Sequence, residues 1–68
     1  MNVTLNGERR SLGDGASVRE AVAASGAPTD TRGLAVAVDG EVVPRGKWDA
    51  VELREGQRVE IVQAVQGG

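Results

Sequence analysis

The sequence contains no cysteine, no histidine, no phenylalanine and no tyrosine, and Trp48 is its sole aromatic residue. Without cysteine there is no disulfide to staple a small fold and no thiolate to bind a metal. Histidine, the commonest general base near neutral pH, is missing, and cysteine, the best side-chain nucleophile, is missing with it. Carboxylates and lysine remain, but no cluster of them marks a catalytic site. Asp39, Glu41 and Asp49 lack the spacing of metal ligands. The "GDG" at Gly13–Gly15, with no lysine behind it, reads as a turn and not as a phosphate loop. No catalytic residue, metal or bound cofactor is expected, and the chain reads as a protein that is acted on. The net charge is −2 with the basic residues scattered, so there is no basic stripe to track phosphates and no aromatic platform for bases. No apolar run reaches membrane length and no signal-peptide pattern opens the chain, which makes a cytoplasmic protein the expectation.

What is present is Val, Leu, Ile and Ala in short periodic runs. At 68 residues the chain allows one domain with a thin core, burying roughly 60% of the surface of its unfolded form. "MNVTL" alternates, with Met1, Val3 and Leu5 on one face, and predicts a half-buried strand. Asn6-Gly7 is a strong hairpin signal, and "ERRSL" would return as a second strand. A tight two-residue turn opposes Glu8 to Leu5, an uncomfortable pairing that leaves the register open. "SVRE" supplies a capping box from Ser17 and Glu20. It opens a helix over about Val18 to Ser25, with Val18, Ala21, Val22 and Ser25 on one face. Gly26 and Pro28 end the helix, which is too short to survive off a sheet. "LAVAVD" is a third strand with Leu34, Val36 and Val38 on one side and small Ala35 and Ala37 on the other. Asp39-Gly40 turns the chain into a brief strand "EVV" ended by Pro44. "PRGKWDAV" is irregular or one turn of helix, "EL" pairs briefly, and "RVEIVQAVQ" is the last and longest strand, expected inside the sheet beside the first. The predicted class is α+β: a mixed sheet of four to five strands with one helix across one face, the β-grasp arrangement. Residues 1–66 form the single domain, and 67–68 a flexible tail.

Two features bear on function. The sequence ends "VQAVQGG". Glycine lacks Cβ, so Gly67 and Gly68 can thread a narrow channel, and four residues beyond the strand reach roughly 13 Å from the body. The α-carboxylate at Gly68 is a poor electrophile until it is adenylated with ATP, after which a sulfur or amine nucleophile can attack it. A Gly-Gly end taken alone is weak evidence, since a frayed terminus is then the favoured reading. Directly after the last strand of a β-grasp pattern it means more. The second feature is "VEIVQAV", which does not alternate cleanly. Val59, Ile61 and Val65 share one face, Val62 and Ala64 the other. One helix covers one face, so the surplus apolar side lies either under "PRGKW" or in the open, where it suits partner docking. Trp48 is either a contact for a partner or, the favoured reading, a cover for the sheet edge that supplements the core. Arg45 and Lys47 flank it, either steering an acidic partner or simply solvated.

From Asp39 onward, "DGEVVPRGKW" followed by "EGQRVEIVQAVQGG" resembles the ThiS family of sulfur-carrier proteins in thiamine thiazole biosynthesis. The first third fits in length and order. The resemblance implies a ubiquitin-like β-grasp fold. It also implies adenylation of Gly68 by a ThiF-like adenylyltransferase that consumes ATP. Conversion to a C-terminal thiocarboxylate follows, with sulfur from a donor protein, and then delivery to a ThiG-like thiazole synthase. Gly67 is the flexible neighbour, Val62, Ala64, Trp48 and Arg45 are candidates for docking, and the free chain is expected to be a monomer. The chain departs from the family in its aromatic-free last strand, with Val62 where a bulkier residue is expected. A carrier for molybdopterin or cysteine biosynthesis, a ubiquitin-like modifier and a non-covalent β-grasp module that binds RNA or protein are the alternatives.

Overall fold

The structure, a computed structural model, describes residues 1–28 and 30–63. Val3 and Leu5 are buried in β1 (Asn2–Leu5) while Asn2 and Thr4 face the other way, as the alternation requires. Asn6 (φ 49°) and Gly7 (φ 84°) are both left-handed, the combination that a two-residue type I′ turn needs and that matches strand twist. The turn sets β2 (Glu8–Ser11) antiparallel to β1 with Leu5 opposite Glu8 and Val3 opposite Arg10. The pairing that looked uncomfortable in the sequence is therefore the one adopted. It costs little because β2 is an edge strand whose four residues are all exposed. Arg10 uses the position: its Nη1 donates to the Ala24 carbonyl at 3.2 Å, a cation on the negative end of the helix.

The helix α1 spans Val18–Ala24, with Ser25 as its C-cap. Ser17 Oγ accepts from the Glu20 N–H at 3.2 Å, the first half of the expected capping box; the reciprocal contact from Glu20 is not formed. Val18, Ala21 and Val22 are the buried stripe. The chain then forms β3 (Leu34–Val38), a second left-handed turn at Asp39 (φ 49°) and Gly40 (φ 86°), and β4 (Glu41–Val43). A 3₁₀ turn covers Arg45–Lys47, Ser17 bridges Glu52, and β5 runs Arg58–Gln63. The expected continuation of this strand past Gln63 lies outside the described residues.

The five strands form one mixed sheet in the order β2-β1-β5-β3-β4. β5 is central, parallel to β1 and antiparallel to β3. Val3, Leu5, Val36, Val59 and Ile61 point from the sheet to α1 and meet Val18, Ala21, Val22, Trp48 and Leu53 in one core cluster. The Arg45–Val51 segment lies on this same side, since Arg19 N–H donates to the Trp48 carbonyl and Val18 N–H to that of Val51. The opposite face of the sheet is left uncovered among the described residues. This is the β-grasp architecture.

Candidate functional site

Strand register builds the open face. In β5, Val59 and Ile61 are buried whereas Val62 is 58% exposed. Val62 stands opposite Ala35 on β3, and Ala37 stands between Glu60 on β5 and Val42 on β4. Directly opposed residues on one face have Cβ atoms about 5 Å apart. Val62, Ala35, Ala37 and Val42 are therefore an apolar strip crossing three strands, bordered by Glu60. The two alanines keep its middle low and the valines raise its ends, and Val42 is 73% exposed. Toward β2 the same face turns basic, because Thr4 is in register with Arg9 on one side and Arg58 on the other.

Val62 is thus on the face away from the helix, as expected, and of the two places left open for that face the structure has it in the open. Ala64, Val65, Gly67 and Gly68 lie outside the described residues. Trp48 follows the favoured reading, as a core residue, and only its candidacy for docking is corrected. Its ring is 1% exposed, so it presents nothing to a partner, and a chain without Phe or Tyr spends its one large ring on the core. Trp48 Nε1 donates to the Val43 carbonyl at 2.9 Å, and the Arg19 guanidinium lies 5.5 Å from the ring centroid while pairing with Asp49 at 2.6 Å. Arg45 is exposed, and its Nη2 donates to Thr31 Oγ1 at 2.6 Å. Thr31 leads into Leu34, the partner of Gln63, so Arg45 stands at the end of the sheet toward which β5 runs. Beside it Arg32 forms a two-pronged bond to Asp30, at 3.0 and 2.9 Å, which holds the Asp30 carboxyl below its ordinary range and raises the Arg32 guanidinium.

Val42 is the residue sequence reasoning missed. Its signal was present: an Asp39-Gly40 turn of two residues forces Val38 opposite Glu41 and Ala37 opposite Val42, which puts Val42 on the alanine side. The edge of β4 is also protected, because the strand has three residues and Pro44 follows immediately with no N–H to offer. No three acidic side chains among the described residues are grouped to hold a metal ion.

A mixed sheet with its last described strand at the centre, one helix across one face and an uncovered apolar strip on the other define a ubiquitin-like β-grasp protein. The ThiS family model matches residues 3–68, and the chain belongs to the ThiS family. A crystal structure of the thiamine biosynthesis protein ThiS from Geobacter metallireducens is similar over 100% of both chains, with a TM-score of 0.81 and 28% identity. The solution structure of a thiamine biosynthesis protein from the same organism matches 100% of this chain and 88% of its own length, with a TM-score of 0.76 and 28% identity. Comparison with curated protein sequences finds no match.

Proposed function

We propose that this protein is a sulfur carrier for thiamine biosynthesis, a protein substrate and not an enzyme, with the carboxyl group of Gly68 as its working atoms. Membership of the ThiS family across residues 3–68 is the observation that carries the reading. The chemistry fits a chain that brings no thiol or imidazole of its own. The Gly68 carboxylate attacks the α-phosphorus of ATP on a ThiF-like adenylyltransferase, giving an acyl-adenylate and pyrophosphate. A sulfide-level nucleophile from a donor protein adds to the activated carbonyl and expels AMP, leaving the thiocarboxylate. A ThiG-like thiazole synthase then receives the sulfur. The role of the body is to be held while the terminus reacts. The strip of Val62, Ala35, Ala37 and Val42 is the surface for that contact, because burying it removes apolar area from water without opening the core. Arg45, at the end of the sheet toward which β5 runs, is the polar flank.

The test is incubation with ATP, a cognate adenylating enzyme and a sulfur source, read by intact mass. A rise equal to the difference between sulfur and oxygen, mapped to the C-terminal peptide, is expected. Sulfur on another residue, or no change with every adenylating partner tried, overturns the reading. Isopeptide conjugates of Gly68 to other proteins point instead to a modifier.

A further inference from the structure

Near the last described residues of β5, a side chain takes over from the β1 backbone. On the β1 side the parallel ladder runs through Thr4–Arg58 and Leu5–Val59, and Asn6 N–H adds a bond to the Val59 carbonyl at 2.9 Å. There the backbone of β1 turns away into β2. The next rung is made by the Asn6 side chain. Its Oδ1 accepts from the Ile61 N–H at 2.8 Å and its Nδ2 donates to the Ile61 carbonyl at 3.1 Å. A primary amide presents a donor and an acceptor side by side, as a peptide group does, so the two bonds reproduce a strand partner for one more residue of β5.

We propose that Asn6 is a positioning residue that fixes where β5 ceases to be anchored on this side, and so from which point the chain carrying Gly68 is presented to an adenylating enzyme. Three observations converge. Among the described residues Ile61 is the last of β5 with a hydrogen bond toward β1, and Val62 is turned to β3, where it is in register with Ala35. Ile61 is also a core residue, so the clamp sits where β5 is part of the packed body. And Asn6 is left-handed, a conformation glycine would serve without strain; the turn therefore needs a residue tolerant of positive φ, whereas only the clamp needs an amide. Loss of the clamp leaves β5 beyond Val59 tied on the β3 side alone and loosens the base from which the chain runs on to Gly68, which lowers the fraction of encounters in which the terminal carboxylate is in line with the nucleotide. The strip of Val62, Ala35, Ala37 and Val42 proposed above for the contact with the enzyme is not altered by a change at Asn6. This role in adenylation rests on the carrier reading above; the clamp itself does not.

Asn6→Gly separates the two roles, because it keeps the turn and removes the amide. Asn6→Asp keeps an acceptor for the Ile61 N–H and loses the donor. Hydrogen exchange on the free full-length chain should show the Ile61 amide exchanging roughly tenfold faster in Asn6→Gly, the effect of losing a bond pair of ordinary strength, with Asn6→Asp between it and wild type. The fluorescence of buried Trp48 and the β1–β2 amides should stay native. Unchanged protection at Ile61 overturns the clamp. With the adenylating enzyme that charges the wild-type chain, Asn6→Gly should lower kcat several-fold at unchanged KM, partly restored in Asn6→Asp. A raised KM at constant kcat makes Asn6 a docking contact, and unchanged kinetics beside a lost Ile61 protection removes the positioning role; both overturn the proposal. Failure of the wild-type chain to be adenylated by any such enzyme is a failure of the carrier reading, and the exchange arm still decides the clamp.

Discussion

Ile61 and Val62 are adjacent in β5 and meet opposite environments, one in the core against α1 and the other 58% exposed. That contrast separates folding from recognition. Ile61→Asp puts an unpaired charge into the core at a cost of several kcal/mol, comparable with the whole stability of a domain this small, and should abolish the native circular dichroism signal. Val62→Asp places the same charge in water and should shift stability by no more than about 1 kcal/mol. Its effect should instead be seen in titration with the adenylating enzyme, weakened by about 1–3 kcal/mol if Val62 lies at the centre of the contact. Val42→Asp tests the other end of the strip in the same way. An unfolded Val62→Asp protein would mean the two faces are assigned wrongly, and wild-type affinity in both exposed variants would remove the strip from the interface. Trp48→Phe has the opposite signature. It loses the bond to the Val43 carbonyl and part of the core volume, so urea unfolding should show about 1–3 kcal/mol less stability with partner affinity in native conditions retained.

Two hairpins of the same kind carry the sheet, and both put an Asx residue and then a glycine into left-handed geometry. At Gly40 a Cβ would meet no atom within 4 Å, so the cost of Gly40→Ala comes from φ alone. About 1 kcal/mol is expected from the left-handed backbone. Gly13, which also has open space around it but no positive φ, is the control: Gly13→Ala should be neutral or slightly stabilising. Equal midpoints for the two variants in urea would show that the turn is not what makes the glycine necessary. The Asx side chains do a second job. Asp39 Oδ1 accepts from the Arg58 N–H at 3.0 Å where β5 starts, on the β3 side, and Asn6 holds Ile61 where its β1-side anchoring ends. The central strand is thus held at Arg58 and at Ile61 by the turns of its two neighbours.

For the molecule as a whole, the core is purely apolar: among the described residues no polar or charged side chain is buried. With no histidine in the chain, nothing with an ordinary side-chain pKa near neutrality is present to couple protonation to folding. The lowered Asp30 pKa gives a contribution that is present above the unfolded carboxylate range and lost as pH falls through the folded value, but both partners are at the surface, where such pairs count for little. Thermal unfolding should therefore be flat between about pH 5.5 and 7 and should decline only in acid; a sharp step within that window would reveal a titrating group tied to the fold. Removal of Gly67 and Gly68 is the complementary test. No apolar side chain is lost with them, so the melting temperature should barely move, while acceptance of sulfur should vanish. A large loss of stability would make the terminus structural.

The order of strands and helix, both turns and the inward set Val3, Leu5, Val18, Ala21, Val22, Val36, Val59 and Ile61 were legible in the sequence by itself. Each depends on local chemistry: a period of two or of nearly four, a hydroxyl before a helix, an Asx-Gly pair that tolerates positive φ. The family was legible for the same reason, in the run from Asp39 onward. Tertiary structure decided the rest. The Leu5–Glu8 pairing looked unfavourable until β2 proved to be an exposed edge. Trp48 was readable as surface or core, and its place depends on Arg19 and Val43, which come to it from separate elements. Val42 joins Val62 only because β3 lies between their strands. Asn6 and Ile61 are 55 positions apart, and a local turn signal carries no information about which distant backbone its side-chain amide will hold.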